Sequence, residues 1–335
     1  MGKLGLHGSR PLAIQVARSW AFRKTMIHVR SLEAISMPSS WLTVGVFDGV
    51  HRGHQRIIRT LTEGARAVGM PAVVLTFWPH PATVLGDGKV RCLTTADERA
   101  ALLSDLGVDA VVTHQFDAAT ADTTAFDFVA RMHHQLSFRR LLIGYDFALG
   151  KDREGNAARL AEIGGELRYE LEIVPAVGDE SGVISSTEIR KLVATGDVVA
   201  AAGLLGHAFS LHGPVVAGDG RGRDLGYPTA NIDVPAEKIL PANGIYACWA
   251  WLDGTRFRAA VNVGVRPQFH PQASSPLVEA HILDLDRRLY GSDLRLDFVH
   301  RLRDEKRFPS VPDLVEQIQS DVARTRQLLS SDGRS

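Results

Sequence analysis

The chain has 335 residues, sets 38 Lys and Arg against 38 Asp and Glu, and is 45% hydrophobic with 31 Gly and only 2 Cys. That length and apolar fraction predict two packed domains, and a formal net charge of zero excludes a protein that coats nucleic acid through a basic excess. Two lone cysteines, Cys92 and Cys248, exclude a disulfide scaffold and a cysteine-rich zinc site and point to a reducing compartment, the cytoplasm. No run approaches the ~18 apolar residues needed to span a bilayer.

Residues 1 to 32 contain no Asp or Glu, and Lys3, Arg10, Arg18, Arg23 and Lys24 make residues 1–25 basic. This leader lacks a signal-peptide apolar core and reads either as a transit peptide or as an extension ahead of a folded part that starts at Met26. From there apolar strands alternate with helical patterns. Strands are predicted at 41–47, 72–77, 110–113 and 141–144, and helices at 54–68, 96–106 and 124–135. The alternation predicts an α/β domain over 26–205, a doubly wound parallel sheet with its site at the carboxyl ends of the strands.

Near Gly206 the pattern changes. Short strand candidates at 211–217, 245–252, 257–263, 277–284 and 294–300 follow one another, separated by Gly, Pro, Asn and Asp clusters. They predict a small all-β barrel or sandwich over 206–335, closed by an amphipathic helix from Val311 to Leu329.

Four motifs in the first domain fall just past predicted strands. Gly45-x-Phe47-Asp48-Gly49-x-His51-x-Gly53-His54 joins a strand to a helix. Glycines there let backbone approach a ligand, and the helix N-terminus offers N–H groups to an anion. His51 and His54, three apart, can share one face of the first turn and donate to phosphate oxygens. A core pair or two zinc ligands are the other readings, and no Cys or carboxylate completes a zinc set. Phe77-Trp78-Pro79-His80-Pro81 and Gly144-Tyr145-Asp146-Phe147 lie on the same rim. Ile184-Ser185-Ser186-Thr187-Glu188-Ile189-Arg190 is an N-cap sequence, or hydroxyls and a guanidinium grouped to clamp phosphate. His133 and His134 read as a helix-surface pair.

The second domain opens with Gly218-Asp219-Gly220-Arg221-Gly222-Arg223-Asp224-Leu225-Gly226-Tyr227-Pro228-Thr229-Ala230-Asn231, either a solvated turn or a loop wrapped on phosphates. Thr229 and Asn231 are hard oxygen donors of the kind magnesium accepts. Glu279, among apolar neighbours, is either an outward-facing strand residue or a carboxylate placed for chemistry.

Together these motifs resemble the bacterial bifunctional riboflavin kinase/FAD synthetase family over roughly residues 26 to 329. The resemblance implies a nucleotidyltransferase-like first domain that joins FMN and ATP into FAD and pyrophosphate, and a β-barrel riboflavin kinase as the second. It implies that Gly45, Phe47, Asp48, Gly49, Gly53, Ser186 and Thr187 bind ATP, with His51, His54 and Arg190 acting on its phosphates. Phe77, Pro79, His80 and Asp146 would meet the flavin. In the barrel it implies Gly222, Arg223 and Gly226 at ATP, Thr229 and Asn231 on Mg2+, Glu279 as catalytic base, and Arg303 and Phe308 at the flavin. The implied partners are riboflavin, FMN and ATP, with neither nucleic acid nor membrane among them. Gln268 and Ala148 depart from the family pattern and bear on ligand contacts. Two other readings are a nucleotidyltransferase for a different phosphate-bearing substrate and a flavin carrier without catalysis.

Overall fold

The computed structural model describes residues 26–86, 90–179, 182–218, 222, 225–266 and 275–330. In the first half, β1 (Ile27–Val29), β2 (Ser40–Val44), β3 (Ala72–Trp78), β4 (Ala110–Gln115), β5 (Phe138–Gly144) and β6 (Glu170–Val174) form one sheet in the order β1-β4-β3-β2-β5-β6. All of its pairings are parallel. The connecting helices are α1 (Arg52–Ala67), α2 (Pro81–Leu85), α3 (Ala96–Asp105), α4 (Ala118–Ala121), α5 (Ala125–Leu136) and α6 (Ala157–Leu167).

Both faces of the sheet are covered, which is why its strands read as continuous apolar runs. Ile58, Leu61 and Ala65 of α1 and Ala100 and Leu103 of α3 pack with Trp41, Val74, Val111 and Leu142 on one face. Phe128, Val129, Met132 and Leu136 of α5 and Leu160 and Ile163 of α6 cover Leu42, Leu75, Val112 and Leu141 on the other. Each fully buried Leu, Ile, Val or Met side chain among these contributes about 1.5–3 kcal/mol. Since β2 lies between β3 and β5, the chain winds outward in both directions from β2, and a crevice opens where it reverses.

Three sequence expectations are corrected. The strand expected to reach Phe47 ends at Val44, because Phe47 (φ 50°), Gly49 (φ 80°) and Val50 (φ 42°) take left-handed values no strand accommodates. The strands β1 and β6 were not predicted: β1 has three residues, and β6 alternates polar and apolar at a sheet edge. His133 is not a plain surface residue, since its ring meets Phe138 edge-on at 5.1 Å, whereas His134 is exposed.

After a short hairpin of β7 (Gly178–Asp179) and β8 (Gly182–Val183) come α7 (Ser186–Thr195) and α8 (Val198–Leu205). Then β9 (Phe209–Val216), β10 (Ala230–Ile232), β11 (Gly244–Leu252), β12 (Thr255–Arg266), β13 (Ser275–Ile282) and β14 (Asp293–Arg303) close an antiparallel barrel in the order β10-β13-β12-β11-β14-β9. Period-2 alternation fills its interior: Phe209, Leu211 and Val215 from β9 meet Leu294, Leu296 and Phe298 from β14. Helix α9 (Val311–Leu328) packs outside β11, β12 and β14. Ile189, Val193, Val198, Ala201 and Leu205 of α7 and α8 join the barrel's core, so these two helices lie on the barrel although they precede Gly206.

Candidate active sites

A cavity of about 450 Å³ opens at the reversal point, at the carboxyl ends of β2, β3 and β5. It is lined by Gly45, Phe47, Asp48, His54, Phe77, His80, Asp146 and Ser186, which the sequence motifs had singled out. Gly49 is φ +80° with its Cα against Leu93, where any Cβ would come within 2.8 Å of that side chain. Gly53 sits beneath the His51 ring, and a Cβ there would meet the ring at 3.1 Å.

His51 is the N-cap of α1, its Nδ1 accepting from the His54 backbone N–H at 3.4 Å. A neutral His51 bonded in this way carries its proton on Nε2, which makes that nitrogen a donor. The two imidazoles stack with centroids 3.6 Å apart. His54 leaves a buried Nδ1 without a partner. Burial lowers the His51 pKa to about 4, partly opposed by Asp48, and burial also drives His54 well below the ordinary histidine value.

Asp48 lines the cavity, and its carboxylate is turned into the protein and is 1% exposed. Oδ2 accepts from Leu93 N–H at 3.0 Å and from Arg190 Nη2 at 2.7 Å, and Oδ1 accepts from Thr94 N–H at 3.0 Å and Thr94 Oγ1 at 3.1 Å. Arg99, fully buried, stands 3.8 Å away. Burial alone would raise the Asp48 pKa, but Arg99, Arg190 and the backbone donors outweigh it and hold the group below the usual carboxylate range. Asp48 is therefore the hub that positions Arg190.

Arg190 leans on Asp48 and lies 3.4 Å from His80 Nε2, with a buried Nε that has no partner. Ser185, not Ser186, caps α7 by accepting from Glu188 N–H, which leaves Ser186 Oγ to donate to the Asp48 carbonyl at 2.9 Å. Thr187 is exposed in the first turn of α7. Pro79 follows β3 and His80 caps α2, accepting from Ala82 N–H. Ala148 lines the same cavity beside Phe147.

Sequence reasoning missed Arg99, Phe116, Phe128 and Arg153. Phe116 and Phe128 extend an aromatic wall from Phe77, with centroids at 5.5 and 6.1 Å, and Arg153 donates to the Asp146 carbonyl. The signal for Arg99 was its place on the apolar stripe of α3, with Ala96, Ala100 and Leu103 all buried.

On the barrel, register brings together residues far apart in sequence. Glu279 pairs across strands with Asn231 on one side and Asn262 on the other. Glu279 is half-buried, Asn231 is 5% exposed, and Asn262 has a buried Oδ1 without a partner. Thr229 lies two residues before Asn231 and lines a separate cavity of about 390 Å³ together with Arg287, Arg288 and Tyr290. Backbone lies close here: a Cβ at Gly218 would come 2.0 Å from the Asn231 side chain, and one at Gly222 would come 2.4 Å from the Tyr227 carbonyl oxygen. Gly226 is exposed at φ +83°. Arg223 and Gln268 lie outside the described residues.

The Arg303 guanidinium is engaged by Asp321 of α9, with Nε and Nη2 donating at 2.7–3.1 Å, and it sits 5.8 Å from the Phe308 ring. This side chain thus ties α9 to the barrel.

An FAD synthetase family model matches residues 35–188, and a riboflavin kinase family model matches residues 205–329. The bifunctional riboflavin kinase/FMN adenylyltransferase of Bacillus subtilis is 30% identical over 298 residues, covering 88% of this chain and 94% of the relative. The chain belongs to the bifunctional riboflavin kinase/FMN adenylyltransferase family. The Listeria monocytogenes member is 34% identical over 85% of this chain and 91% of its own, and the Escherichia coli member is 33% identical over the same shares. A solved Streptococcus pneumoniae chain, described as a macrolide-efflux protein, superposes with a TM-score of 0.80 at 33% identity, covering 90% of this chain and 98% of that one. Among the described residues here, no helix is long and apolar enough to cross a membrane.

Proposed function

We propose that the family's two reactions are divided between the two sites: FMN adenylylation in the cavity at the sheet, and riboflavin phosphorylation on the barrel around Glu279. The observation that carries this division is the cross-strand row Asn231, Glu279 and Asn262, which sets one carboxylate between two amides on a module of its own.

In the sheet cavity, the aromatic wall of Phe77, Phe116 and Phe128 offers an apolar surface to an isoalloxazine ring. The ATP phosphates would lie at the N-terminus of α1, with His54, Ser186 and Arg190 supplying donors. A phosphate oxygen of FMN attacks the α-phosphorus of ATP, the bond to the β-phosphate breaks, and pyrophosphate leaves. The nucleophile is already ionised near neutral pH, so no side chain has to take a proton. The neutral imidazoles and Arg190 act by position and charge stabilisation.

On the barrel, Glu279 accepts the proton of the riboflavin 5′-hydroxyl as that oxygen attacks the γ-phosphorus of ATP and ADP leaves. Thr229 and Asn231 would hold Mg2+; their neutral, hard oxygens, two residues apart, are of the type that ion accepts. When bound it supplies positive charge to the phosphates. The modules are proposed to meet near Gly206. Free, buried Cys92 and Cys248 support a reducing compartment, the cytoplasm.

The test is conversion of riboflavin, ATP and magnesium, with the flavins separated afterwards. Glu279→Ala should abolish FMN formation and spare FMN-to-FAD conversion, and His54→Ala should lower FMN-to-FAD conversion about 10²-fold and spare FMN formation. Loss of both activities in a folded Glu279→Ala protein would overturn the two-site assignment.

A further inference from the structure

Asp48 is held from two sides, and both arms are anchored on the barrel. One arm is α7, which turns Ser186 and Arg190 toward Asp48 and buries Ile189 and Val193 in the barrel's core. The other is the segment from Arg91 to Glu98, whose Leu93 and Thr94 N–H groups meet the Asp48 carboxylate. This segment forms a parallel bridge to the barrel at Cys92 and Lys238. Cys92 N–H donates to the Glu237 carbonyl at 2.7 Å, and Ile239 N–H donates to the Cys92 carbonyl at 2.9 Å.

The Lys238 side chain reaches across this bridge. It is 2% exposed, and its Nζ donates to the Leu93 carbonyl at 2.7 Å and to Glu98 Oε2 at 2.5 Å. A lysine is almost never buried this fully unless it is paired. Glu98 is itself committed to the capping box of α3, with Oε2 accepting from Thr95 N–H at 2.7 Å. One ammonium thus pins both the carbonyl of the residue that holds Asp48 and the start of the helix that carries Arg99.

We propose that Lys238, a barrel residue, is a positioning residue for adenylyl transfer, acting through Leu93 and Thr94 on Asp48 and through Asp48 on Arg190. The inference rests on reading the sheet cavity as the adenylyl-transfer site.

Two full-length variants test it. Lys238→Met leaves the Glu98 carboxylate buried without its partner, which costs stability as well as position. Lys238→Met/Glu98→Gln removes both charges and keeps the capping box, because Gln also serves at that position. In the double variant the Leu93 carbonyl still lacks its donor. We expect the double variant to melt close to wild type while kcat/KM for FMN adenylylation stays down by about tenfold. FMN formation should stay within about twofold of wild type, and the Leu93 and Thr94 amides should exchange faster. Recovery of adenylyl transfer together with stability would overturn the proposal, since Lys238 would then serve only to neutralise Glu98. Should Lys238→Met not fold, the double variant against wild type decides alone. His54→Ala separates the underlying reading: if it spares adenylyl transfer, the cavity assignment fails, and if it lowers the reaction about 10²-fold while the double variant is normal, only the role of Lys238 fails.

Discussion

In the parallel-sheet module the carboxylate of Asp48, behind the cavity wall, is buried and engaged by two arginines and two backbone N–H groups. In the barrel the carboxylate of interest, Glu279, stands half-buried between two asparagines on adjacent strands. A carboxylate whose pKa is held down by guanidinium groups is a poor proton acceptor and a good strut. The contrast follows the chemistry: an ionised phosphate nucleophile needs aligned donors, and a sugar-alcohol hydroxyl needs a base.

The largest expected effect tests the barrel side. Glu279→Gln should lower kcat for FMN formation by about 10²–10⁴-fold and leave FMN adenylylation unchanged, measured by separating the flavins after each half-reaction. Equal loss in both reactions would remove the contrast. On the sheet side, Asp48→Asn should destabilise the protein by about 3–5 kcal/mol, because Arg99 would remain buried without its counter-charge. Urea unfolding reads that loss, and a fall of under about 1 kcal/mol would show that the hydrogen bonds to Thr76 and the Phe77 carbonyl suffice for Arg99. A smaller effect is expected for His54→Ala, about 10²-fold in kcat for adenylyl transfer, with riboflavin phosphorylation intact.

The same contrast decides what was legible in the sequence. Strands such as Ala72–Trp78 declare themselves because burial on both faces demands an unbroken apolar run. The loop from Gly45 to His54 declares itself because glycines and paired imidazoles concentrate in ten residues. Arg99 and Lys238 do not, because charged side chains read as solvent-facing until a partner from elsewhere in the chain, Asp48 or Glu98, is brought alongside. The pair of Arg303 and Asp321 is hidden for a similar reason: only the packing of α9 brings the two side chains together. Glu279 could be assigned to a strand from its neighbours, but its row with Asn231 and Asn262 depends on the register of three strands, and β10 is a three-residue strand hidden inside a motif.

The smallest predicted effect is a difference in acid sensitivity between the modules. Burial lowers His28 and His51 to about 4, and takes His54 lower than its ordinary value as well; all three belong to the parallel-sheet module. In the unfolded chain these imidazoles titrate near 6.5. Between pH 6.5 and 4 the unfolded state therefore binds more protons than the folded state. Stability is fully present above that window and falls as pH drops through it. After incubation near pH 5, adenylyl transfer should decline before riboflavin phosphorylation does. Replacing His28, whose Nε2 lies 2.9 Å from Thr113 Oγ1 and away from both cavities, isolates the effect from catalysis. His28→Gln should unfold at lower urea than wild type at pH 7.5, with the gap narrowing or reversing at pH 5, because glutamine has no proton to gain on unfolding. A gap that stays constant with pH would show that His28 does not contribute to the slope, and would leave the buried pair at α1 to account for it. Adenylyl transfer itself should show no histidine inflection between pH 6 and 8, because His51 and His54 are already neutral throughout that range.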